Sequence, residues 1–175
     1  MYLTSRFPYA SADNFQALEL PYKGENVSML ILLPNEKDGL QDLEESLTPE
    51  RLEEIQRRLY ITKVDVSIPK LKLRFEKELS PETRVLGANQ IFRNGAADFF
   101  GMTSNRNVAV SQVVHKAVIE VNEEGTEAAT VTGINVVLVS SIGGTQQFKA
   151  DHPFFFAIVE KSSNMILFLG GVYNL

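Results

Sequence analysis

The sequence predicts an α+β fold, mostly antiparallel β-sheet with a few short helices. Three observations carry that prediction. Stretches in which apolar residues recur with period two run from Phe15 almost to the end of the chain. Two helical stretches lie side by side, not one between each pair of strands, which argues against a βαβ order. Short polar turns, among them Lys23-Gly24-Glu25-Asn26 and Lys161-Ser162-Ser163-Asn164, join strands at hairpin distance.

Met1 to Asp13 reads as a short entry segment. Phe15 to Tyr22 and Val27 to Leu33 form a hairpin, and the second strand (VSMLILL) is apolar enough to be buried on both faces. Leu40, Leu43 and Leu47 mark a first helix. Thr48 caps a second, with Pro49 at its first position and Leu52, Ile55 and Leu59 as its stripe. Glu44, Glu45, Glu50, Glu53 and Glu54 fall on the solvent side. From Lys63 to Leu73 the apolar residues change phase at Pro69, so that proline marks a bend or a transfer between two sheets. Ser80-Pro81 opens a small helix that Gly87 closes. Asn94-Gly95 is a turn, and Phe99-Phe100-Gly101-Met102 reads as a loop pinned to a core. His115 to Val121 alternates as a strand, and Phe154 to Glu160 with Met165 to Tyr173 form a closing hairpin.

The chain has 175 residues, 44% hydrophobic and 22% charged, which is ordinary globular composition and enough for one cored domain. A net charge of -5 gives no reason to expect nucleic acid or an anionic membrane as partner. With no cysteine there is neither a disulfide framework nor a thiolate metal site. The opening residues Met1 to Arg6 lack the apolar core of a signal peptide. Only two histidines occur, His115 on a strand face and His152 before a proline, and no nucleophile-elbow or HExxH pattern accompanies them. The expectation is therefore no catalytic residue, no metal and no cofactor. His152 is expected to hydrogen-bond backbone.

Two motifs remain. Val121-Asn122-Glu123-Glu124-Gly125-Thr126-Glu127-Ala128-Ala129 ends a strand abruptly and enters a stretch with no charged residue from Ala128 to Gln147. That stretch is small and β-branched (Thr130, Val131, Thr132, Ile134, Val136, Val137, Val139), so it suits an exposed loop and also a strand. Phe148-Lys149-Ala150-Asp151-His152-Pro153-Phe154-Phe155-Phe156-Ala157-Ile158 follows it. The first motif resembles the hinge of a serpin reactive-centre loop and the second the serpin signature, at the family's spacing. The resemblance extends over essentially the whole chain, as the C-terminal half of a serpin, without the family's N-terminal helical half.

The resemblance implies a single serpin-like domain over residues 1–175, with a reactive-centre loop at about 125–147. It implies a serine-protease inhibitor rather than an enzyme. The hinge would be Glu123, Glu124, Gly125, Thr126, Glu127, Ala128, Ala129 and Thr130, and Glu123 would pair with Lys70. The signature residues would be Phe148, Asp151, His152, Pro153 and Phe154. Counting as the family does from Gly125 places the reactive bond at Val139–Ser140, with Leu138–Val139 the alternative. An aliphatic residue there and a loop without Lys or Arg favour an elastase- or chymotrypsin-like protease over a trypsin-like one, whose buried carboxylate would be left unpaired. Family resemblance implies an extracellular location, and the cytoplasm stays open.

Serpin loop insertion is an established example of a strand added to a sheet. It needs two flanking strands, and the chain encodes one, His115 to Val121; the resemblance puts the other in the absent half. The partners of His115 in the family also lie there, so either water or another chain reaches it, or it is an inert strand histidine. The same comparison predicts bare apolar faces on Lys70 to Phe75, Val113 to Val121, Val27 to Leu33 and Met165 to Val172, and an unprotected sheet edge at His115 to Val121 or at the loop folded back beside it. Association of two copies, by strand addition or loop exchange, would cover them.

Overall fold

The computed structural model describes residues 1–105, 107–121 and 144–175. The hinge, the reactive bond and most of the loop expected from the sequence lie outside the described residues. The chain separates into two compact units: Met1–Leu71 with Val121–Leu175, and Lys72–Glu120.

The first unit is built on β1 (Tyr2–Ser11), β2 (Phe15–Pro21) and β3 (Val27–Pro34), then helices α1 (Leu40–Ser46) and α2 (Pro49–Arg58), then β4 (Tyr60–Ser67). The second unit takes most of β5 (Leu71–Glu78), α3 (Ser80–Val85), a single 3-10 turn (Gln90–Phe92) and β6 (Val114–Val121). The chain then returns to the first unit with β7 (Gln146–Lys149), β8 (Phe154–Glu160) and β9 (Met165–Val172). The prediction of antiparallel sheets with a few short helices holds. Pro69 does separate two sheets: β4 belongs to a seven-stranded sheet in the order β7-β4-β1-β2-β3-β8-β9, and β5 to a two-stranded sheet with β6.

The β2–β3 hairpin forms where the alternation placed it, with Phe15 opposite Pro34 and Pro21 opposite Ser28. Gly24 and Glu25 take positive φ in its turn. Every residue of β3 after Val27 is buried, which corrects the expectation of a bare face there: this chain covers the strand unaided. On one face Leu30 and Leu32 join Phe15, Ala17, Phe155, Ala157 and Val159 beneath Leu40, Leu43 and Ile55 of the helices. Each fully buried Leu, Ile or Phe of this kind contributes about 1.5–3 kcal/mol. Thr48 caps α2 as expected, its Oγ1 accepting from the Arg51 N–H at 3.2 Å.

Residues 1–13 are more than an entry segment. β1 is the longest strand, and it runs antiparallel to β4 from Tyr2 opposite Ser67 to Tyr9 opposite Tyr60. Pro8 is tolerated because β1 meets β2 only from Tyr9 onward, so one side of the strand has no ladder for Pro8 to interrupt.

In the second unit, ion pairs Lys72–Glu120 and Lys116–Glu76, each 2.9 Å, advance in opposite senses along β5 and β6, so the two strands run antiparallel. The Leu79 N–H donates to the Val113 carbonyl at 2.7 Å, and the Val113 N–H returns to Ser80 Oγ at 3.0 Å. Gly87 closes α3 with φ of 96°, as expected of a residue that must turn left-handed. Among the described residues of this unit no hydrophobic side chain is fully buried. Of the expected pin at Phe99 to Met102, Phe99 is partly buried, while Phe100 and Met102 are exposed.

Candidate functional site

The segment expected to carry the reactive bond lies outside the described residues; in the chain β6, the upstream anchor, precedes it and β7, the downstream anchor, follows it. The anchors differ in kind.

The downstream anchor is buried. β7 lies parallel to β4, with Val66 opposite Phe148. Phe148 and Phe154 are among the most completely buried side chains of the molecule. The Ala150 N–H continues the strand by donating to the Ser67 carbonyl at 2.8 Å. A polar bracket ties β7 further. Thr4 Oγ1 donates to Asp65 Oδ1 and Gln147 Nε2 to Asp65 Oδ2, each at 2.7 Å, so one carboxylate links β1, β4 and β7. The Thr4 bond, and then the Gln147 bond, hold the Asp65 carboxyl below its ordinary range.

Past β7 the chain turns at Asp151-His152-Pro153. His152 bonds backbone, as expected from the sequence, and the acceptor is the Pro34 carbonyl at the end of β3, 2.7 Å from Nε2. Its Nδ1 stands 2.9 Å from Asp151 Oδ1. Lys149 Nζ is 2.9 Å from the other Asp151 oxygen. The hydrogen bond from His152, and then that from Lys149, hold the Asp151 carboxyl at about 2. Thus Phe148, Asp151, His152 and Phe154 act together: two phenylalanines fill the core, and His152 locks the turn between them onto β3. Pro153 is partly buried in the same turn.

The upstream anchor is open. On β6, Ala117, Ile119 and Val121 are partly buried and the residues between them are exposed, in the alternation expected. His115 breaks that pattern. It is exposed, so water reaches it, and its ring lies 6.0 Å from that of Phe75 in a tilted contact. Lys70 lies in the crossover between β4 and β5; Glu123, its expected partner, is outside the described residues, as are Glu124, Gly125, Thr126, Glu127, Ala128, Ala129, Thr130, Leu138, Val139 and Ser140.

Two contacts were not read from the sequence. Asp65 looked like an ordinary outward residue of an alternating strand, and its partners lie 61 and 82 positions away. Tyr173 donates its phenol proton to Glu44, a residue expected on the solvent side of the first helix. Gly171 permits that contact, since a Cβ there would collide with Glu44 Oε1 and the Tyr173 ring.

The Serpin (serine protease inhibitor) family profile matches residues 1–175. The chain belongs to the serpin family. It is 43% identical over 177 residues to intracellular coagulation inhibitor 2 of Tachypleus tridentatus, covering 100% of this chain and 43% of that protein. It is 41% identical to human leukocyte elastase inhibitor, covering 97% of this chain and 47% of that one. Among solved structures, uncleaved ovalbumin superposes with a TM-score of 0.83 and 32% identity, over 100% of this chain and 47% of its own. The chain therefore spans less than half the length of the relatives it matches.

Proposed function

We propose that this chain carries the reactive-centre half of a serine-protease inhibitor and presents the Val139–Ser140 bond, or Leu138–Val139, to an elastase- or chymotrypsin-like protease. One observation carries the reading: Phe148, His152 and Phe154 lock the far end of the loop segment into the core, so pull or cleavage on the segment is resisted at that end. The uncharged, aliphatic loop supplies the specificity, and a relative named for inhibiting leukocyte elastase supports it. The small hinge residues Thr126 to Thr130 suit insertion, and Glu123 with Lys70 would set where the loop leaves β6. Trapping by insertion needs a strand on the far side of β6. Among the described residues β6 pairs only with β5. The chain by itself is thus expected to be cut as a substrate, with trapping dependent on a further polypeptide. Two relatives named intracellular coagulation inhibitors favour work inside cells over secretion.

Incubation with elastase followed by denaturing electrophoresis and mass spectrometry tests this. Cleavage within residues 136–141, giving a C-terminal fragment that starts near Ser140, is the expected result. A first cut confined to residues 38–47 would overturn it, and a stable heavier band would show that the chain traps protease unaided.

A second reading is self-association. It is favoured by the second unit, which among its described residues buries no hydrophobic side chain. Two copies would then cover apolar surface that one leaves in water.

A further inference from the structure

By chemistry alone, the bond near the loop that best suits a chymotrypsin-like protease is Phe148–Lys149. An aromatic ring fills an apolar primary pocket better than Leu138 or Val139 does. That bond lies within β7, and the Phe148 side chain is fully buried. A protease takes such a bond only when the strand opens locally. Whatever seats β7 therefore bears on which bond is cut.

The backbone and the core give β7 a modest hold. Its ladder with β4 is parallel and runs only from Gln146 to Lys149, and parallel pairing is slightly less stable per residue than antiparallel. Phe148 alone among its side chains is buried, while Gln147 and Lys149 are exposed. The further hold is a row of side chains across three strands. Thr4 stands opposite Asp65 in the β1–β4 pairing, and Asp65 stands opposite Gln147 in the β4–β7 pairing. Its neighbours Val64 and Val66 are buried on the other face of β4. Aspartate is depleted in strands. Here its carboxylate, an acceptor only, meets a donor at each oxygen: Thr4 Oγ1 at Oδ1 and Gln147 Nε2 at Oδ2, both 2.7 Å away. Lys63, two residues earlier on the same strand, adds a favourable positive charge. Of these contacts, the Gln147 bond is the one that reaches β7.

We propose that Asp65 is a positioning residue for loop cleavage: by seating Gln147 it sets the downstream boundary of the segment a protease can take. It thereby hides Phe148–Lys149 and directs the cut to the aliphatic residues upstream. The inference rests on the reading of residues 136–141 as the protease target and adds the residue that ends that target. Asp65 acts through β7 and touches neither bond.

Initial rates of limited chymotrypsin digestion, read by mass spectrometry, test it on three proteins: the wild type, Gln147→Glu, and Asp65→Asn/Gln147→Glu. The wild type should be cut first within residues 136–141. Gln147→Glu sets two carboxylates against each other, and the fragment that starts at Lys149 should form about tenfold faster or more. The double variant exchanges the roles: the amide at position 65 donates, the carboxylate at position 147 accepts, and Thr4 keeps an acceptor. Its rate at Phe148–Lys149 should return to within about threefold of the wild type, a rescue that a merely structural role would not give. Both variants offer the protease the same residues around Phe148, so their comparison cancels any effect of the new charge on the protease. Should Gln147→Glu fail to fold by circular dichroism, Gln147→Met, which removes the donor and adds no charge, must raise the same cut at least about threefold. A wild type cut first after Phe148, or single and double variants cut there equally fast, overturns the role of Asp65. A wild type left uncut at residues 136–141 overturns the reading of the loop instead, and the comparison at Phe148–Lys149 still shows whether Asp65 seats β7.

Discussion

The two units of this chain make strands of nearly equal length by different means. In the first, β3 and β8 bury almost every side chain. In the second, β5 and β6 bury no side chain fully and are joined by ladder hydrogen bonds, ion pairs and the Phe75–His115 contact. Exposed ion pairs contribute about 0–1 kcal/mol each, whereas one buried aromatic contributes several times that. The stability of the chain is therefore concentrated at the downstream end of the loop segment. The strand upstream of it, β6, is held by exposed contacts.

The largest effect should come from deleting the downstream anchor. Phe148→Ala should cost about 3–5 kcal/mol, because it removes a fully buried ring and leaves a cavity. Val118→Ala on β6 should cost no more than about 0.5 kcal/mol, since Val118 is 62% exposed. Urea unfolding followed by circular dichroism measures both. Equal losses would erase the contrast between the units.

His152→Ala should come next, at about 1–3 kcal/mol, because the Pro34 carbonyl at the buried end of β3 loses its ring donor. The same urea titration reads it. Elastase cleavage of the loop should continue in this variant, since the lock holds the far end of the segment and leaves the bond itself in place.

What could be read in the sequence follows the range of the interactions. The β2–β3 hairpin, the Thr48 cap, the Gly87 stop and the β8–β9 hairpin are local, and each was legible in a few neighbouring residues. Pro69 was legible as a change of phase. β1 was not, because Ser5, Arg6 and Pro8 spoil its pattern and its partner β4 lies more than fifty residues on. β7 was not, because four residues with two glutamines have no apolar period; it exists because Phe148 fills the core and Asp65 reaches Gln147. The signature was legible as a motif, and His152 as a backbone-bonding residue. Which carbonyl it reaches, 118 positions away, was not. β3 escaped the expectation of a bare face because the helices and the neighbouring strands pack its whole length.

The Asp151 contacts give a narrower test in acid. The folded carboxyl titrates at about 2 and the unperturbed one at 3.8. A depressed carboxyl contributes stability that is fully present above the unfolded value and is lost as pH falls through the folded one. The wild type should therefore exceed Asp151→Asn in urea midpoint at neutral pH, and the two should converge as pH falls from about 4 toward about 2. Glu160, held at about 2 by Ser163 and Ser162, is untouched by this variant, so Asp151→Asn should keep a residual acid slope. Curves that remain parallel through that window would mean that the His152 and Lys149 contacts do not hold the carboxylate.

The smallest effect tests the proposed join between loop and sheet. If Glu123 pairs with Lys70, Glu123→Lys places two cations together and should loosen the start of the loop, while Lys70→Glu with Glu123→Lys should recover part of the loss. An exposed pair supports a coupling of only about 0–1 kcal/mol, so neither single variant is informative without the double-mutant cycle. Global unfolding is the wrong readout, because it reports mostly on the core that β3 and Phe148 fill. The rate of elastase cleavage at residues 136–141 is the better one, since it follows local release of the segment. Faster cleavage in Glu123→Lys, with partial return in the double variant, would place the control point at the weak upstream end. A cycle that closes to zero would mean that the loop leaves β6 unaided, and the difference between the two anchors would then rest on burial alone.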